Sequence, residues 1–171
     1  FGGMVAMTLA ATYSNTPHAL ILVDTSYKPP YFSKYIPHGS LLYHALGLIA
    51  QHSSKAHIHK HRDFSKYINT SDYNVRRILS DILHTSLRSY LLSAKNVGNL
   101  NALSLLDKIS TPTLVIEGEN DSVFPPEIAE EIHSRISKSD INYIPHANHI
   151  LVMNNPDEVS EAIEKFLMKL D

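Results

Sequence analysis

The amino-acid sequence predicts an α/β fold in which helices flank a parallel sheet and a helical insertion interrupts the chain. Short apolar runs rich in β-branched residues have the length and character of buried parallel strands. Longer stretches between them repeat apolar residues at three-and-four spacing, which is the period of an amphipathic helix. The order is helix, strand, helical insertion, strand, helix, strand and helix, and it corresponds to half of a doubly wound α/β fold.

The first two elements are a helix and a strand. The chain opens on Phe1-Gly2-Gly3, and the stretch that follows, to residue 11, is apolar nearly all round, as in a helix packed deep against a sheet. Thr16-Pro17 ends that helix. Residues 19–24 then form a compact apolar run, which predicts a buried parallel strand.

A helical insertion is predicted after the first strand. Pro29-Pro30, Pro37 and Gly39 punctuate the chain before apolar residues return at helical spacing. These residues are Leu41, Leu42, Ala45, Leu46 and Ile49, and later Val75, Ile78, Leu79, Ile82, Leu83, Leu87, Tyr90 and Leu91. We expect residues 29–105 to form a cap or lid between two core segments, 1–28 and 106–171.

The chain then returns to the sheet. Residues 113–116 predict a second buried strand that ends in a polar turn at Glu117-Gly118. Residues 127–136 predict a helix, residues 141–144 a short strand, and Pro156 the start of a final helix.

Composition narrows the range of partners and compartments. The 171 residues are 43% hydrophobic and carry a net charge of -2, which fits one domain or part of one and favours neither nucleic acid nor an anionic membrane surface. No apolar stretch approaches the ~20 residues of a membrane helix, so no membrane span is predicted. The chain has no cysteine, which excludes disulfides and mildly favours the cytoplasm. Composition indicates no particular oligomeric state.

Two polar residues follow predicted strands and are the candidates for chemistry. Asp121 comes shortly after the second strand and His149 after the third. In open parallel sheets, ligands bind beyond the carboxyl ends of the strands. A carboxylate that accepts a hydrogen bond from one imidazole nitrogen fixes the tautomer, which leaves the other nitrogen free to take a proton from a nucleophile. We therefore assign Asp121 as the acid and His149 as the base.

Taken together, these motifs resemble the α/β-hydrolase superfamily. The matching residues are Phe1-Gly2-Gly3, residues 20–25, Gly118-Glu119-Asn120-Asp121 with Pro125, and Asn148-His149 with Asn155-Pro156. The resemblance implies a partial α/β-hydrolase fold, in which Phe1-Gly2-Gly3 follows the serine of a Gly-x-Ser-x-Gly elbow. The nucleophile would then precede Phe1, and the backbone N–H of Phe1 would serve the oxyanion hole. Because no initiator methionine is present, we expect the sequence to be a fragment.

One position departs from the family pattern. Asn148 stands where the family usually has glycine before the histidine. Because asparagine tolerates positive φ better than most residues, we expect the turn to survive with Asn148 in that conformation.

Several residues also have other interpretations. The alternative to the catalytic role of Asp121 is a turn or N-cap aspartate before the Pro125 helix, and the alternative for His149 is a loop histidine that caps or packs. We favour the catalytic roles for both. His146, three residues before His149, is an alternative base. In a helix, His57 and His61 would share one face, but no carboxylate or cysteine completes a ligand set, so no metal is assigned. Aromatic residues early in the insertion either line an acyl pocket or pack under the lid: Tyr27, Tyr31, Phe32, Tyr35 and Tyr43.

The functional hypothesis is a serine hydrolase that cleaves a small or medium carboxylic ester through an acyl-enzyme, without a cofactor. One alternative is an epoxide hydrolase or dehalogenase-like enzyme with an aspartate nucleophile. Another is a non-catalytic chain that binds a small molecule or a partner in the same cleft. Residues 1–171 alone are expected to be inactive, and to be poorly soluble or to associate, because an apolar sheet edge and helix face would be exposed.

Overall fold

The structure of the protein is a computed structural model that describes residues 2–13, 16–29, 41–52, 63–98 and 100–170. In chain order, the regular elements of the described residues are α1 (Gly2–Thr12), β1 (Leu20–Val23), α2 (Leu41–His52), α3 (Val75–Thr85), α4 (Leu87–Gly98), α5 (Leu103–Leu106), β2 (Thr113–Gly118), α6 (Pro126–Arg135), β3 (Ser139–Ile144), α7 (Leu151–Asn154) and α8 (Pro156–Leu167). A short 3₁₀ turn spans Ser65–Tyr67.

The three strands form one parallel sheet in the order β1-β2-β3. Leu22 lies beside Val115 in the register of β1 and β2. Val115 in turn lies beside Ile141 of β3. All six residues of the central strand β2 are buried. The continuous apolar run predicted for this segment is therefore explained by coverage on both faces of the sheet.

Helices cover the two faces and create two apolar clusters. One contains Met4, Met7 and Ala10 of α1, together with α5, α6 and side chains such as Leu22 and Val115. The other joins Leu114 and Ile116 of β2 to α7 and α8. Alternate residues of β2 thus face opposite layers. This arrangement confirms the predicted α/β fold with a parallel sheet flanked by helices.

Between β1 and β2, the described residues form helices α2, α3, α4 and α5, joined by turns and irregular segments. Of these helices, α2 and α3 both pack against α4. The division into core segments 1–28 and 106–171 and a cap at residues 29–105 stays a prediction. Within the described parts of the chain, no helix is both long and apolar enough to span a bilayer.

Two details near the carboxyl edge differ from the sequence prediction. The polar turn expected at Glu117-Gly118 is wrong, because β2 continues through Gly118 and Glu117 is fully buried within the strand. In addition, α7 forms directly after residues 145–150, the histidine loop, where no helix was predicted.

Candidate active site

Three titratable side chains meet beyond the carboxyl ends of the strands. Asp24 follows β1, Asp121 follows β2 and His149 follows β3. Because the strands are parallel, their carboxyl ends share one edge of the sheet. One carboxylate oxygen from each aspartate and one ring nitrogen of His149 all lie within 4.8 Å of one another.

Asp121 and His149 form a direct hydrogen bond. The distance from His149 Nδ1 to Asp121 Oδ2 is 2.7 Å, and the carboxylate side chain is 0% exposed. The other oxygen, Oδ1, accepts the backbone N–H groups of Val123 at 2.7 Å and Phe124 at 2.8 Å. Burial raises the pKa of Asp121, but the hydrogen bonds from His149 and Phe124 outweigh it and hold that pKa below its usual value.

His149 is held on one side and accessible on the other. Its ring makes an edge contact with the ring of Phe124, with centroids 5.3 Å apart and planes at 73°. The side chain is 28% exposed. It also lines a cavity of about 230 Å³ with Asp24 and residues 150–153. Because Nδ1 is bound to Asp121, Nε2 is the nitrogen left to exchange a proton with a third group.

The loops that carry the pair are bonded to each other through the backbone. Asn120 donates its N–H to the carbonyl oxygen of Ala147 at 2.8 Å, and Glu119 donates to that of Ile144 at 3.2 Å. At Gly118, a Cβ atom would lie only 2.6 Å from the Ala147 carbonyl oxygen. The glycine of the Gly118-to-Asp121 motif is therefore required by the close approach of the histidine loop.

Sequence reasoning missed Asp24 as a member of this cluster. Asp24 adopts φ 41°, and its two carboxylate oxygens accept the N–H groups of Gly118 and Leu151, each at 3.2 Å. Burial and then the charge of Asp121 raise the pKa of Asp24 to about 7. Its position immediately after an apolar strand was the available signal, because it matches that of Asp121.

Glu117 adds a second buried carboxyl group that was not predicted. No described residue donates a hydrogen bond to either of its oxygens. Burial and then the charge of Asp121 raise the pKa of Glu117 to about 10. Glu117 is therefore a neutral acid beside the acid–base pair at ordinary pH.

The alternative base His146 lies apart from the cluster. It is exposed, has φ 58°, and its backbone N–H donates to Glu119 Oε2 at 3.2 Å. The expectation of positive φ at Asn148 is wrong, because His146 takes the left-handed conformation in this turn instead. The Asn148 side chain instead bridges two segments: its amide nitrogen donates to Thr70 O at 2.9 Å and its oxygen accepts Ile150 N–H at 3.1 Å.

Other residues named from the sequence lie outside the described parts of the chain. They are Phe1 with its oxyanion amide, the histidines 57, 59 and 61, and Tyr31, Phe32 and Tyr35, together with the side chain of Tyr43. Tyr27 is described: it is buried, and its carbonyl oxygen accepts the N–H of Ala102 at 2.8 Å.

Comparison with known proteins identifies the family. The family described as serine aminopeptidase, S33, matches residues 1–157. The chain belongs to the serine aminopeptidase S33 family. This family is part of the α/β-hydrolase superfamily, as the resemblance of the motifs implied.

Curated relatives of this S33-family chain include ester hydrolases. Pimeloyl-[acyl-carrier protein] methyl ester esterase of Neisseria meningitidis serogroup A is 26% identical over 171 residues, covering 97% of this chain and 54% of the relative. The serogroup C protein of the same name is also 26% identical, and 66% of it is covered. The human serine hydrolase BPHL is 32% identical over 63 residues, or 37% of this chain and 22% of the relative. The chain thus spans between about half and two thirds of the Neisseria proteins.

Solved structures agree with the fold of the S33-family chain. An esterase from Thermogutta terrifontis superimposes with a TM-score of 0.63 at 26% identity, over 99% of this chain and 62% of that one. MenH from S. aureus gives a TM-score of 0.70 at 23% identity, over 98% and 65%. The second likeness bears on the fold alone.

Proposed function

We propose that the whole protein is a serine hydrolase that cleaves carboxylic esters through an acyl-enzyme, with Asp121 and His149 as its acid and base. The observation that carries the proposal is the 2.7 Å hydrogen bond from His149 Nδ1 to an Asp121 carboxylate that is 0% exposed. It combines a fixed tautomer, a buried anion and a partly exposed imidazole in a hydrolase family.

In the proposed reaction, Nε2 of His149 accepts the proton of a serine hydroxyl as its oxygen attacks the ester carbonyl carbon. The resulting imidazolium is stabilised by Asp121, whose lowered pKa keeps it ionised. The imidazolium then protonates the leaving alkoxide, which departs as an alcohol. In the second half, Nε2 of His149 takes a proton from a water molecule, whose oxygen attacks the carbonyl carbon of the acyl-enzyme. The bond to the serine oxygen then breaks, the acid is released, and His149 returns the proton to the serine.

The nucleophile and the oxyanion donor belong to the proposal as well. We place the serine immediately before Phe1, because Phe1-Gly2-Gly3 has the form of the end of an elbow motif. Gly3 supports this, since a Cβ there would collide with Thr25 after β1, so the start of α1 has room only for glycine. The backbone N–H of Phe1 would then stabilise the oxyanion.

The ester class is suggested by relatives. Two Neisseria proteins similar over 97% of this chain are named as methyl ester esterases. We therefore propose an acyl ester with a small alcohol as the substrate, cleaved without a cofactor.

The test uses the full-length protein and p-nitrophenyl esters of short acids. We expect His149→Ala and Asp121→Asn each to lower kcat/KM by at least about a thousandfold, because each removes one part of a unit that acts together. The matched control is His146→Asn, in the same loop, where asparagine tolerates the positive φ and the rate should be normal. A near-normal rate in His149→Ala would refute the proposal.

A fluorophosphonate probe tests the nature of the nucleophile. A serine enzyme should become labelled in the wild type and lose labelling in His149→Ala. Turnover of an epoxide or a haloalkane without labelling would instead point to an aspartate nucleophile, as in epoxide hydrolases and dehalogenases.

A further inference from the structure

One segment of the helical insertion contacts both loops that carry Asp121 and His149. It spans residues 69–73, between the 3₁₀ turn and α3. Asn69 donates its N–H to Asn154 Oδ1 at 2.8 Å, and the carbonyl oxygen of Thr70 accepts from Asn148 Nδ2 at 2.9 Å. Tyr73 donates its hydroxyl to the carbonyl oxygen of Ser122 at 3.1 Å. The segment is thus hydrogen-bonded both to residues 119–125, the acid loop that carries Asp121, and to the histidine loop.

Asp72 is the central residue of this segment. Its Oδ2 accepts both the N–H of Ser122 at 3.0 Å and the Ser122 hydroxyl at 2.5 Å, and its Oδ1 accepts the backbone N–H of His149 at 2.9 Å. Asp72 is only 8% exposed. One buried carboxylate therefore joins the residue after Asp121 to the main chain of His149 itself.

We propose that Asp72 is a positioning residue, which holds the acid loop and the histidine loop at the separation needed for the Asp121–His149 hydrogen bond. The inference rests on the function proposed above. Hydrogen bonds to an ionised acceptor are stronger than neutral ones, and weak solvation at this site increases their effect. The acid–base geometry therefore depends on a side chain supplied by the insertion, 49 residues before Asp121 in the sequence.

Asp72 is itself anchored at the start of α3. Arg77 Nη2 donates to the carbonyl oxygen of Asp72 at 2.6 Å. Asn74 caps α3 by accepting the N–H of Arg77 at 2.9 Å. A displacement of α3 would consequently move Asp72 and, through it, both loops.

Asp24 provides a second connection of the same kind from the core. It joins Gly118 to Leu151, three residues before Asp121 and two after His149. Asp72 joins Ser122, the residue after Asp121, to His149 itself. Because the Asp72 connection is the closer one, its loss should affect the imidazole more directly.

The kinetic test compares Asp72→Asn and Asp72→Ala in the full-length protein. The amide oxygen of asparagine can still accept hydrogen bonds from one loop. Its NH₂ group, however, faces a backbone N–H of the other loop, and two donors cannot form a hydrogen bond. We expect kcat to fall about tenfold in Asp72→Asn and about a hundredfold in Asp72→Ala, with KM within about twofold, because misplacement of a catalytic group acts on the reacting geometry. Ser122→Ala, which loses one of the three donors, should show a smaller decrease than Asp72→Asn.

A second readout does not depend on catalysis. Imidazole ¹H–¹⁵N spectra report which ring nitrogen carries the proton. The signals of His149 are assigned as those that disappear in His149→Gln. In the wild type we expect the tautomer protonated at Nδ1, and in Asp72→Asn a mixture with the Nε2-protonated form. The control is Asp140→Asn: Asp140 pairs with Lys169 at 2.7 Å, its side chain is 47% exposed, and its loss should change neither measurement.

The outcomes separate the two proposals. An unchanged tautomer and a kcat within about twofold of wild type in folded Asp72→Asn would overturn the positioning role. If the wild type cleaves no ester, the proposed function fails, and the His149 tautomer alone decides whether Asp72 positions the pair. Circular dichroism of each variant shows that the comparison is between folded proteins.

Discussion

The two oxygens of Asp121 have different partners, and this explains why one residue suits two interpretations. Oδ1 closes the turn before α6 by accepting the N–H groups of Val123 and Phe124. Oδ2 accepts from His149. A turn aspartate and a catalytic acid are therefore compatible at this position: the turn fixes the carboxylate, and a fixed carboxylate orients the imidazole.

Glu117 gives a prediction for the pH dependence of stability. Its pKa is about 10 in the folded protein and 4.5 in a model peptide, so the folded protein retains a proton that the unfolded chain releases. Its contribution to stability is thus complete below pH 4.5 and declines as the pH rises towards 10. At pH 7 the loss is on the order of 3 kcal/mol.

We therefore expect Glu117→Gln to raise the free energy of unfolding at pH 7 and 9 relative to wild type, and to change it little at pH 4.5. Urea unfolding of the full-length protein at these three pH values measures the difference. Glu164→Gln on the exposed face of α8 is the matched control and should follow wild type. If the wild type and Glu117→Gln lose stability in parallel as the pH rises, the neutral state of Glu117 is disproved.

At the scale of elements, the close approach between β2 and the histidine loop gives a second prediction. Gly118→Ala would place a methyl group 2.6 Å from the Ala147 carbonyl oxygen. Because the atoms that the methyl group meets are backbone atoms of Ala147 and Asn148, the loop must move as a whole, and we expect the free energy of unfolding to fall by about 1–3 kcal/mol. Ester hydrolysis should fall as well, since the moved loop carries His149.

Gly2→Ala is the matched control for that substitution. Nothing lies within 4 Å of a Cβ at Gly2, which begins α1. Alanine favours a helix over glycine, so stability should be unchanged or slightly higher. Thermal unfolding of the two variants measures the contrast, and ester turnover is compared only between Gly118→Ala and wild type, because Gly2 belongs to the proposed elbow motif. Equal losses of stability in both variants would show that the close approach at Gly118 is not what destabilises the fold.

The elements show which parts of the fold can be predicted from sequence. Residues 19–24 and 113–116 indicated strands because a parallel strand covered on both faces is apolar throughout, and β1 and β2 are found there. The end of β2 was misplaced because an ionisable residue such as Glu117 normally indicates a turn, whereas here burial keeps it neutral. The half-buried β3 begins two residues earlier than predicted, since its apolar pattern is weaker.

The candidate site could be predicted only in part, because some of its contacts join residues that are far apart in the sequence. Asp121 and His149 follow strands and belong to motifs, so their meeting could be expected from local sequence and topology. Asp72 reaches His149 across 77 residues, and Asp24 reaches Leu151 across 127. Such contacts have no periodicity or spacing in the sequence, and the structure is needed to find them.

At the scale of the whole molecule, α1 leaves a large apolar surface uncovered. It buries Met4, Met7 and Ala10 against the sheet, while Val5, Leu9 and Tyr13 are about half exposed. Together with Asn96 and Leu100 they line a groove of about 390 Å³. Among the described residues β1 pairs on one side only, with β2, so an apolar helix face and a strand edge are exposed in the same molecule.

We expect residues 1–171, expressed alone, to associate through this surface, because exposed apolar patches and open strand edges favour contact between copies. Sedimentation velocity at several concentrations should show an apparent mass that rises with concentration. Leu9→Lys should weaken the association by placing a charge on the patch, whereas Met168→Lys, at a residue 75% exposed near the end of α8, should not. A monomer at all concentrations would contradict the expectation. Equal effects of the two lysine variants would show that association does not depend on the α1 face.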